Sequence, residues 1–212
     1  PILTITHLSP EQAQLPMDEQ VTLRMRTGMP LPLVQLRLVD EAGNDVAMDD
    51  VCVGEVQVRA PWLTQGYFRE PGKGAELWQG GWLHTGDVAS VNNEGVIQIR
   101  DRMKDVIKTG GEWISSLLLE SLISKHPAVA SVAVVGVPDP RWDERPLAMI
   151  VPTAGGEIDV DQIKAHLMQF VESGQINKWA IPEQIQIVEE IPVTSVGKLD
   201  KKRIRAQLAD QN

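Results

Sequence analysis

Apolar and polar residues alternate along much of residues 33–103, and this period of two predicts β-strands. Three stretches follow it: LVQLRLVD from Val34 to Val39, GEVQVRA at 54–60 and VIQIR at 96–100. Glycines separate these stretches, and the segment PGKG at 71–74 is expected to be a surface loop. It lacks the preceding strand and following helix that a phosphate-binding loop requires.

The pattern changes beyond residue 103, where amphipathic stretches alternate with fully apolar runs. Helices are predicted to follow three N-caps, namely Ser115 or Ser116, Asp159, and Asp200. The apolar runs at 131–137 and 145–151 are typical of buried strands, and residues 183–188 predict one more.

Together these patterns predict an α+β fold. Residues 1–103 are expected to form a β-rich part. Residues 104–212 are expected to form a small α/β domain, a mixed sheet with about three helices.

The chain of 212 residues carries a formal net charge of −9, which argues against a nucleic-acid or anionic-membrane partner. No apolar run approaches the roughly 18 residues of a membrane span, and no signal peptide is visible, so a cytoplasmic protein is expected. The single cysteine, Cys52, excludes an internal disulfide and is predicted to be a small core residue on a strand.

Basic residues concentrate near the end of this acidic chain. Lys201, Lys202, Arg203 and Arg205 follow the predicted cap Asp200 and are expected on a solvated helix face. Lys198 precedes the cap and therefore belongs to a loop, but spacing alone does not assign it a role.

Five segments, in order, carry a resemblance to a known family. They are RTGMPLPLVQLRLVD, GEVQVRAPWLTQGYF, GWLHTGD, RDRMKDVIKTGGEWIS and PVTSVGKLDK. They resemble the AMP-forming adenylate-forming superfamily, which includes acyl-CoA synthetases, luciferases and the adenylation domains of peptide synthetases. Within it the stretch GGEWIS, with PDPRWDERPLAMIV later, is most similar to medium-chain fatty acyl-CoA ligases and methylmercaptopropionate-CoA ligases.

The resemblance implies roles for three residues in adenylation, with ATP and AMP as ligands. Asp87 would accept both ribose hydroxyls, as a carboxylate with two oxygens can. Arg102 would contact ribose and phosphate through its rigid guanidinium. Lys198 would stabilise the negative charge that builds as a carboxylate meets the α-phosphate of ATP.

Four further residues take their implied roles from the second half-reaction, which uses CoA. Lys104 would be the hinge about which the C-terminal domain turns. Gly110 and Gly111 would let a pantetheine arm pass close to the backbone. Trp113 would line that channel, although a packing role is equally compatible with its sequence.

The resemblance also defines what this chain lacks. A phosphate loop, an acyl pocket and the Thr-Glu motif that serves Mg²⁺ are absent from it, so the Mg²⁺ ligand is expected outside the chain. The histidines show no metal-ligand spacing, and His84 is expected to be structural. The chain starts at Pro1 without methionine and, on the resemblance, just past that Thr-Glu motif, so it is expected to be the C-terminal portion of a ligase, inactive alone. Any homodimer would form through the missing part.

Two alternatives remain open at this point. The first is an adenylation domain that loads a carrier protein instead of CoA. The second is a non-catalytic module that uses the α/β part to bind a partner.

Overall fold

The structure, a computed structural model, describes residues 2–209 and confirms the α+β fold class. The chain divides into two compact units, Pro1–Lys104 and Asp105–Asn212.

The first unit is built on a four-stranded antiparallel sheet with strand order β3-β4-β5-β6. Its strands are β3 (Gln35–Val39), β4 (Val53–Arg59), β5 (Leu83–Val91) and β6 (Ile97–Arg102). A smaller antiparallel pair, β1 (Thr4–Ile5) and β2 (Met29–Pro30), and two helices, α1 (Met17–Arg24) and α2 (Pro71–Leu77), complete it.

The alternating residues of the large sheet form the core of the first unit. One face buries Leu38, Val56, Val58, Leu83, Ala89, Val91 and Ile97. These side chains fall at alternate positions along the strands, as expected for one face of a sheet.

The second unit contains a five-stranded mixed sheet centred on one long strand. Its elements are β7 (Ile107–Thr109), β8 (Glu112–Ile114), α3 (Ser116–Ile123), β9 (Val129–Asp139), β10 (Asp143–Pro152), α4 (Val160–Glu172), β11 (Gln184–Ile187) and α5 (Lys201–Ala209). Strand β10 pairs antiparallel with β9 and β7 and parallel with β11.

Strands β9 and β10 are buried on both faces, which explains their continuous apolar sequence. Val132, Val134 and Ile150 pack in one cluster with residues of α3 and α4. Val135 and Leu147 pack in a second cluster with residues of α5.

The three predicted N-caps are present in the structure. Ser115 accepts the Leu118 N–H and caps α3, and Asp159 accepts the Asp161 N–H and caps α4. Asp200 accepts the Arg203 N–H at 3.0 Å at the start of α5. Each cap supplies an acceptor to an N–H that the helix leaves unpaired.

Two local expectations were wrong. The segment PGKG forms the start of helix α2. Pro71 suits the first helical position because a backbone N–H there would have no partner within the helix, and proline has none. Cys52 lies exposed before β4, in a turn whose Asp49 carboxylate accepts the N–H groups of Val51 and Cys52 and the thiol. The hydrogen bond to the Asp49 carboxylate raises the pKa of the Cys52 thiol.

Among residues 2–209, no helix has the length and apolar character needed to cross a bilayer.

Candidate functional site

Hydrogen bonds within the TGD segment, to β4 and to the residue after β6 hold this segment in place. The Thr85 hydroxyl donates to the Val56 carbonyl at 2.8 Å and accepts the Asp87 N–H at 3.1 Å. Gly86 has a φ of +67°, and its carbonyl accepts the Met103 N–H at 2.8 Å. The backbone around Asp87 is therefore tied to the end of β6.

Asp87 and Arg102 are brought together across the β5–β6 pair. They are register partners, and the Arg102 Nε lies 2.8 Å from the Asp87 Oδ1. The Arg102 side chain is 60% exposed and the Asp87 side chain 29% exposed. Both groups can therefore reach a ligand in solvent.

The residues flanking Arg102 have structural contacts. Arg100 donates to the Ser90 hydroxyl at 2.9 Å and to the Asp50 carbonyl at 3.1 Å. Asp101 is buried, and its carboxylate accepts the Arg102 N–H at 2.8 Å. These contacts support the fold around Arg102.

His84 also has contacts of a structural kind. Its Nδ1 lies 2.7 Å from a Glu55 carboxylate oxygen, and its Nε2 lies 3.2 Å from the Gln79 carbonyl.

Lys104 is exposed in the turn between β6 and β7 and is the last residue of the first unit. The residues on its two sides are held by different parts of the chain. The Met103 N–H donates to the Gly86 carbonyl, whereas the Asp105 carboxylate accepts a hydrogen bond from Arg205 of α5 at 3.0 Å.

Gly110 and Gly111 form the turn of the β7–β8 hairpin in the second unit. Both have positive φ, +57° and +85°, which glycine adopts without strain. A Cβ at Gly110 would lie 3.0 Å from the Trp142 ring, whereas a Cβ at Gly111 would meet open space. The backbone is therefore accessible at Gly111.

A cavity of about 540 Å³ lies beside this hairpin in the second unit. Its lining consists of Thr109, Gly110, Glu112, Trp142, Arg145, Lys178, Trp179 and Glu183. Two indole rings, two cations and two carboxylates therefore surround one space. Such a lining can hold a flat aromatic group together with anionic groups.

Two side chains organise this cavity. One Glu112 carboxylate oxygen accepts the Asn177 amide at 2.8 Å and the Trp179 indole N–H at 2.9 Å. Arg145 donates to the Trp179 carbonyl and to Glu183, at 3.0 and 2.8 Å. The Arg145 Nε is buried and has no hydrogen-bond partner among the described residues.

Sequence reasoning missed Trp142, Arg145, Lys178 and Trp179. The signal available was two tryptophans in loop-like sequence, in PDPRWDERP and INKWAIPE. Sequence alone did not show that the two loops meet beside Gly110.

Trp113, proposed for the same channel, lies next to Glu112 on the short strand β8. Successive side chains of a strand point to opposite faces. Trp113 is the register partner of Lys108, whose Nζ lies 5.8 Å from the indole centroid. The Trp113 side chain therefore lies on the opposite face of β8 from Glu112, on the same side as Lys108.

Lys198 lies exposed in a closed loop before α5. The Thr194 N–H donates to the Lys198 carbonyl at 2.7 Å, and the Lys198 N–H donates to the Thr194 hydroxyl at 3.2 Å. Val193 and Leu199 form an isolated antiparallel bridge, and Gly197 has a φ of +77°. The loop is therefore ordered by its own backbone and leaves the ammonium in solvent.

The solvated face expected for α5 is wrong for two of its four cations. Lys202 and Arg203 are exposed, but Lys201 is 8% exposed and bonds to Glu120 and Ser116. Arg205 is partly buried against Asp105. The four cations differ in exposure because each successive residue of a helix is rotated by about 100° around its axis.

No group of three or more His, Cys, Asp or Glu side chains suited to a metal ion occurs within residues 2–209.

Comparison with known proteins places this geometry in a family. Residues 118–198 match the AMP-binding enzyme C-terminal domain. The 3-methylmercaptopropionyl-CoA ligase of Ruegeria lacuscaerulensis is 43% identical over 197 residues, which are 93% of this chain and 35% of that protein. The long-chain-fatty-acid–CoA ligase of Thermus thermophilus is 41% identical over 208 residues, 98% of this chain and 38% of that protein.

A solved structure agrees with the sequence matches. The amide bond synthetase of Marinactinospora thermotolerans superposes with a TM-score of 0.74 at 33% identity, covering 90% of this chain and 38% of that one. The chain thus spans little more than a third of the length of the relatives it matches. On this sequence and structural similarity, the chain belongs to the AMP-forming adenylate-forming superfamily and corresponds to its C-terminal portion.

Proposed function

We propose that this chain is the C-terminal part of an ATP-dependent acyl-CoA ligase. In the first step a carboxylate oxygen attacks the α-phosphorus of ATP, and pyrophosphate leaves. In the second step the CoA thiolate attacks the acyl carbonyl, and AMP leaves. The observation that carries the proposal is the similarity to CoA ligases, 41–43% identical over 93–98% of this chain.

The exposed Asp87–Arg102 pair supports a nucleotide site in the first unit. A carboxylate with two oxygens suits a ribose cis-diol, and a guanidinium suits ribose or phosphate oxygens. In this proposal Asp87 holds the ribose of ATP and AMP, and Arg102 holds the oxygens beside it.

Lys198 is proposed to be the catalytic cation of the first step. Two anions approach each other there, and a positioned ammonium stabilises the charge that develops in the transition state. Its exposure on an ordered loop supports this role, because the Nζ is available to a ligand while its backbone is held.

The cavity beside Gly110 is proposed to bind CoA in the second step. Trp142 and Trp179 offer flat surfaces for the adenine ring, and Lys178 offers positive charge for phosphate groups. The accessible backbone at Gly111 would let the pantetheine arm pass.

Lys104 is proposed to be the hinge between two functional domains, residues 1–103 and 104–212. The first would be the β-rich end of the large adenylation domain and the second the mobile C-terminal domain. The exposed position of Lys104, between a residue tied to β5 and a residue tied to α5, supports a pivot there.

The acyl substrate is proposed to be a fatty or related carboxylic acid, with a medium-chain acid as the specific candidate. CoA ligases for long-chain fatty acids and for 3-methylmercaptopropionate are among the relatives, and a medium-chain ligase of Ectopseudomonas oleovorans is 34% identical over 194 residues. The acyl pocket would lie outside this chain.

One solved structure favours a second candidate for the acceptor. The similar protein from Marinactinospora thermotolerans is an amide bond synthetase. An amine in place of CoA is therefore the alternative acceptor, and a carrier-protein thiol is a further one.

Pyrophosphate exchange with the intact polypeptide that carries this chain tests the proposed first step. With acetate, butyrate, octanoate and palmitate as probes, we expect ATP–pyrophosphate exchange dependent on at least one acid. Lys198→Ala is expected to reduce the exchange rate by about a hundredfold or more, the size of a lost transition-state charge contact. Exchange that is absent with every acid, or unchanged in Lys198→Ala, would contradict the proposal.

The acceptor is tested separately, with CoA and glycine offered to the acyl-adenylate. Thioester formation with CoA supports the ligase, and amide formation with glycine supports the alternative. The chain of 212 residues alone is expected to catalyse neither step.

A further inference from the structure

A buried cation begins helix α5, three positions after Lys198. The Lys201 ammonium lies 2.7 Å from the Glu120 carboxylate and 2.7 Å from the Ser116 hydroxyl of α3. The same Glu120 oxygen accepts the Val134 N–H of β9 at 2.8 Å. The start of α5 is therefore joined by charged hydrogen bonds to a second helix and to the central sheet.

Stability alone is a poor explanation for this pair. The side chains of Lys201 and Glu120 are 9% and 11% exposed, so both lose most of their hydration. The attraction in a buried pair roughly offsets that loss, and apolar replacements of both partners are often as stable. A buried pair can, however, fix its two elements in one defined register, because the two charges meet only in that arrangement.

The Lys198 loop depends on the element that this pair holds. Ile191 before the loop and Leu199 after it pack into the cluster beneath α5. The Asp200 N–H donates to the Pro192 carbonyl at 2.9 Å, which closes the loop onto the residue that caps α5. A shift at the start of α5 would therefore move the backbone that carries Lys198.

We propose that Lys201, through Glu120, is a positioning residue for Lys198 in the acyl-adenylate step. The inference rests on the proposed function, because it gives Lys201 a role only where Lys198 contacts the reacting phosphate. The pair holds the first turn of α5 in place, and the loop in turn holds the Lys198 ammonium where charge develops. A displacement of about 1 Å from such geometry can cost a hundredfold in rate.

The two half-reactions of the intact ligase separate positioning from general damage. In Lys201→Met we expect pyrophosphate exchange to fall about ten- to hundredfold in kcat, with the KM for ATP nearly unchanged. The second measurement is thioester formation from the preformed acyl-adenylate of whichever probe acid exchanges best. Its rate should stay within about twofold of wild type, because this step does not use Lys198 in the proposed function. Lys202→Met, which removes an exposed charge from the same helix, should change neither rate.

A second variant also neutralises the acid whose Lys201 partner is lost in Lys201→Met. In Lys201→Met with Glu120→Gln, the amide oxygen can still accept the Val134 N–H. We expect the thermal midpoint to recover toward wild type while the exchange rate stays low.

Three outcomes would overturn the inference. They are an unchanged exchange rate in Lys201→Met, an equal fall of both half-reactions, and full recovery of exchange in the double variant. The proposed function fails differently, through loss of exchange in the wild type or through an unaffected Lys198→Ala.

Discussion

The Arg102 Nε lies 2.8 Å from the Asp87 Oδ1 across the β5–β6 pair, and both side chains reach solvent. An exposed ion pair of this kind contributes only about 0–1 kcal/mol to stability. The pair is consequently better suited to contact a ligand than to hold the sheet, which its backbone hydrogen bonds already join.

Asp87→Asn in the intact ligase should weaken ATP binding with little effect on stability. A lost hydrogen bond to a charged group is worth about 1.5–3 kcal/mol, so the KM for ATP should rise about ten- to hundredfold. Initial rates of pyrophosphate exchange at varied ATP measure this. Glu94→Gln, an exposed acid in the turn of the same hairpin, is the control. An unchanged KM in Asp87→Asn would remove this carboxylate from the nucleotide site.

Trp142→Ala should weaken the use of CoA and leave adenylation intact. Stacking of a base on an aromatic side chain is worth about 1–3 kcal/mol, so the KM for CoA should rise about five- to hundredfold. The measurement is thioester formation at varied CoA. Trp62→Ala is a matched control, because Trp62 is 38% exposed and Trp142 is 41% exposed. Equal effects of the two substitutions would argue against a CoA site in this cavity.

Gly111→Ala should also affect the CoA step, but for a steric reason. A positive φ costs alanine about 1–2 kcal/mol, and Gly155 has a comparable φ of +73° with equally open space around its Cβ. Gly155→Ala therefore reproduces the backbone strain without touching the proposed channel. We expect about a tenfold higher KM for CoA in Gly111→Ala only. A matching rise in Gly155→Ala would attribute the effect to strain.

Asp50 should make the stability of the first unit depend on pH. Its burial favours the neutral acid, but hydrogen bonds from Arg26 and Ser90 and the charges of Arg26 and Arg100 outweigh this, so the pKa of Asp50 is lowered. A carboxyl with a lowered pKa in the folded state stabilises fully above its unfolded pKa of about 4. That stability is lost as the pH falls through the folded pKa.

Urea unfolding of the 212-residue chain at pH 7 and at pH 3 or below measures this dependence. Asp50→Asn should be less stable than wild type at pH 7, and the difference should shrink at the lower pH. Asp18→Asn, at an exposed acid of α1, is the control. A difference that persists undiminished at low pH would mean that the loss has another cause than the ionised carboxylate.

The sequence alone determined the elements whose burial follows a local period. The strands β3, β4 and β6 follow from alternation, and the caps Ser115, Asp159 and Asp200 follow from residues that pair with N–H groups in the next turn. The collinear motifs identified the family, because each motif is a run of neighbouring residues that can be recognised without knowing the fold.

The tertiary structure decided every feature that depends on a distant partner. Lys201 looked like one of four solvated cations, but Ser116, 85 positions earlier, and Glu120 lie against it in the fold. Trp142 lies just before β10 and Trp179 in a 3₁₀ turn before β11, yet both line the cavity beside Gly110. Local periodicity predicts which side of a single helix or strand is buried. The burial of a charge or the lining of a cavity depends instead on which other element packs against that side.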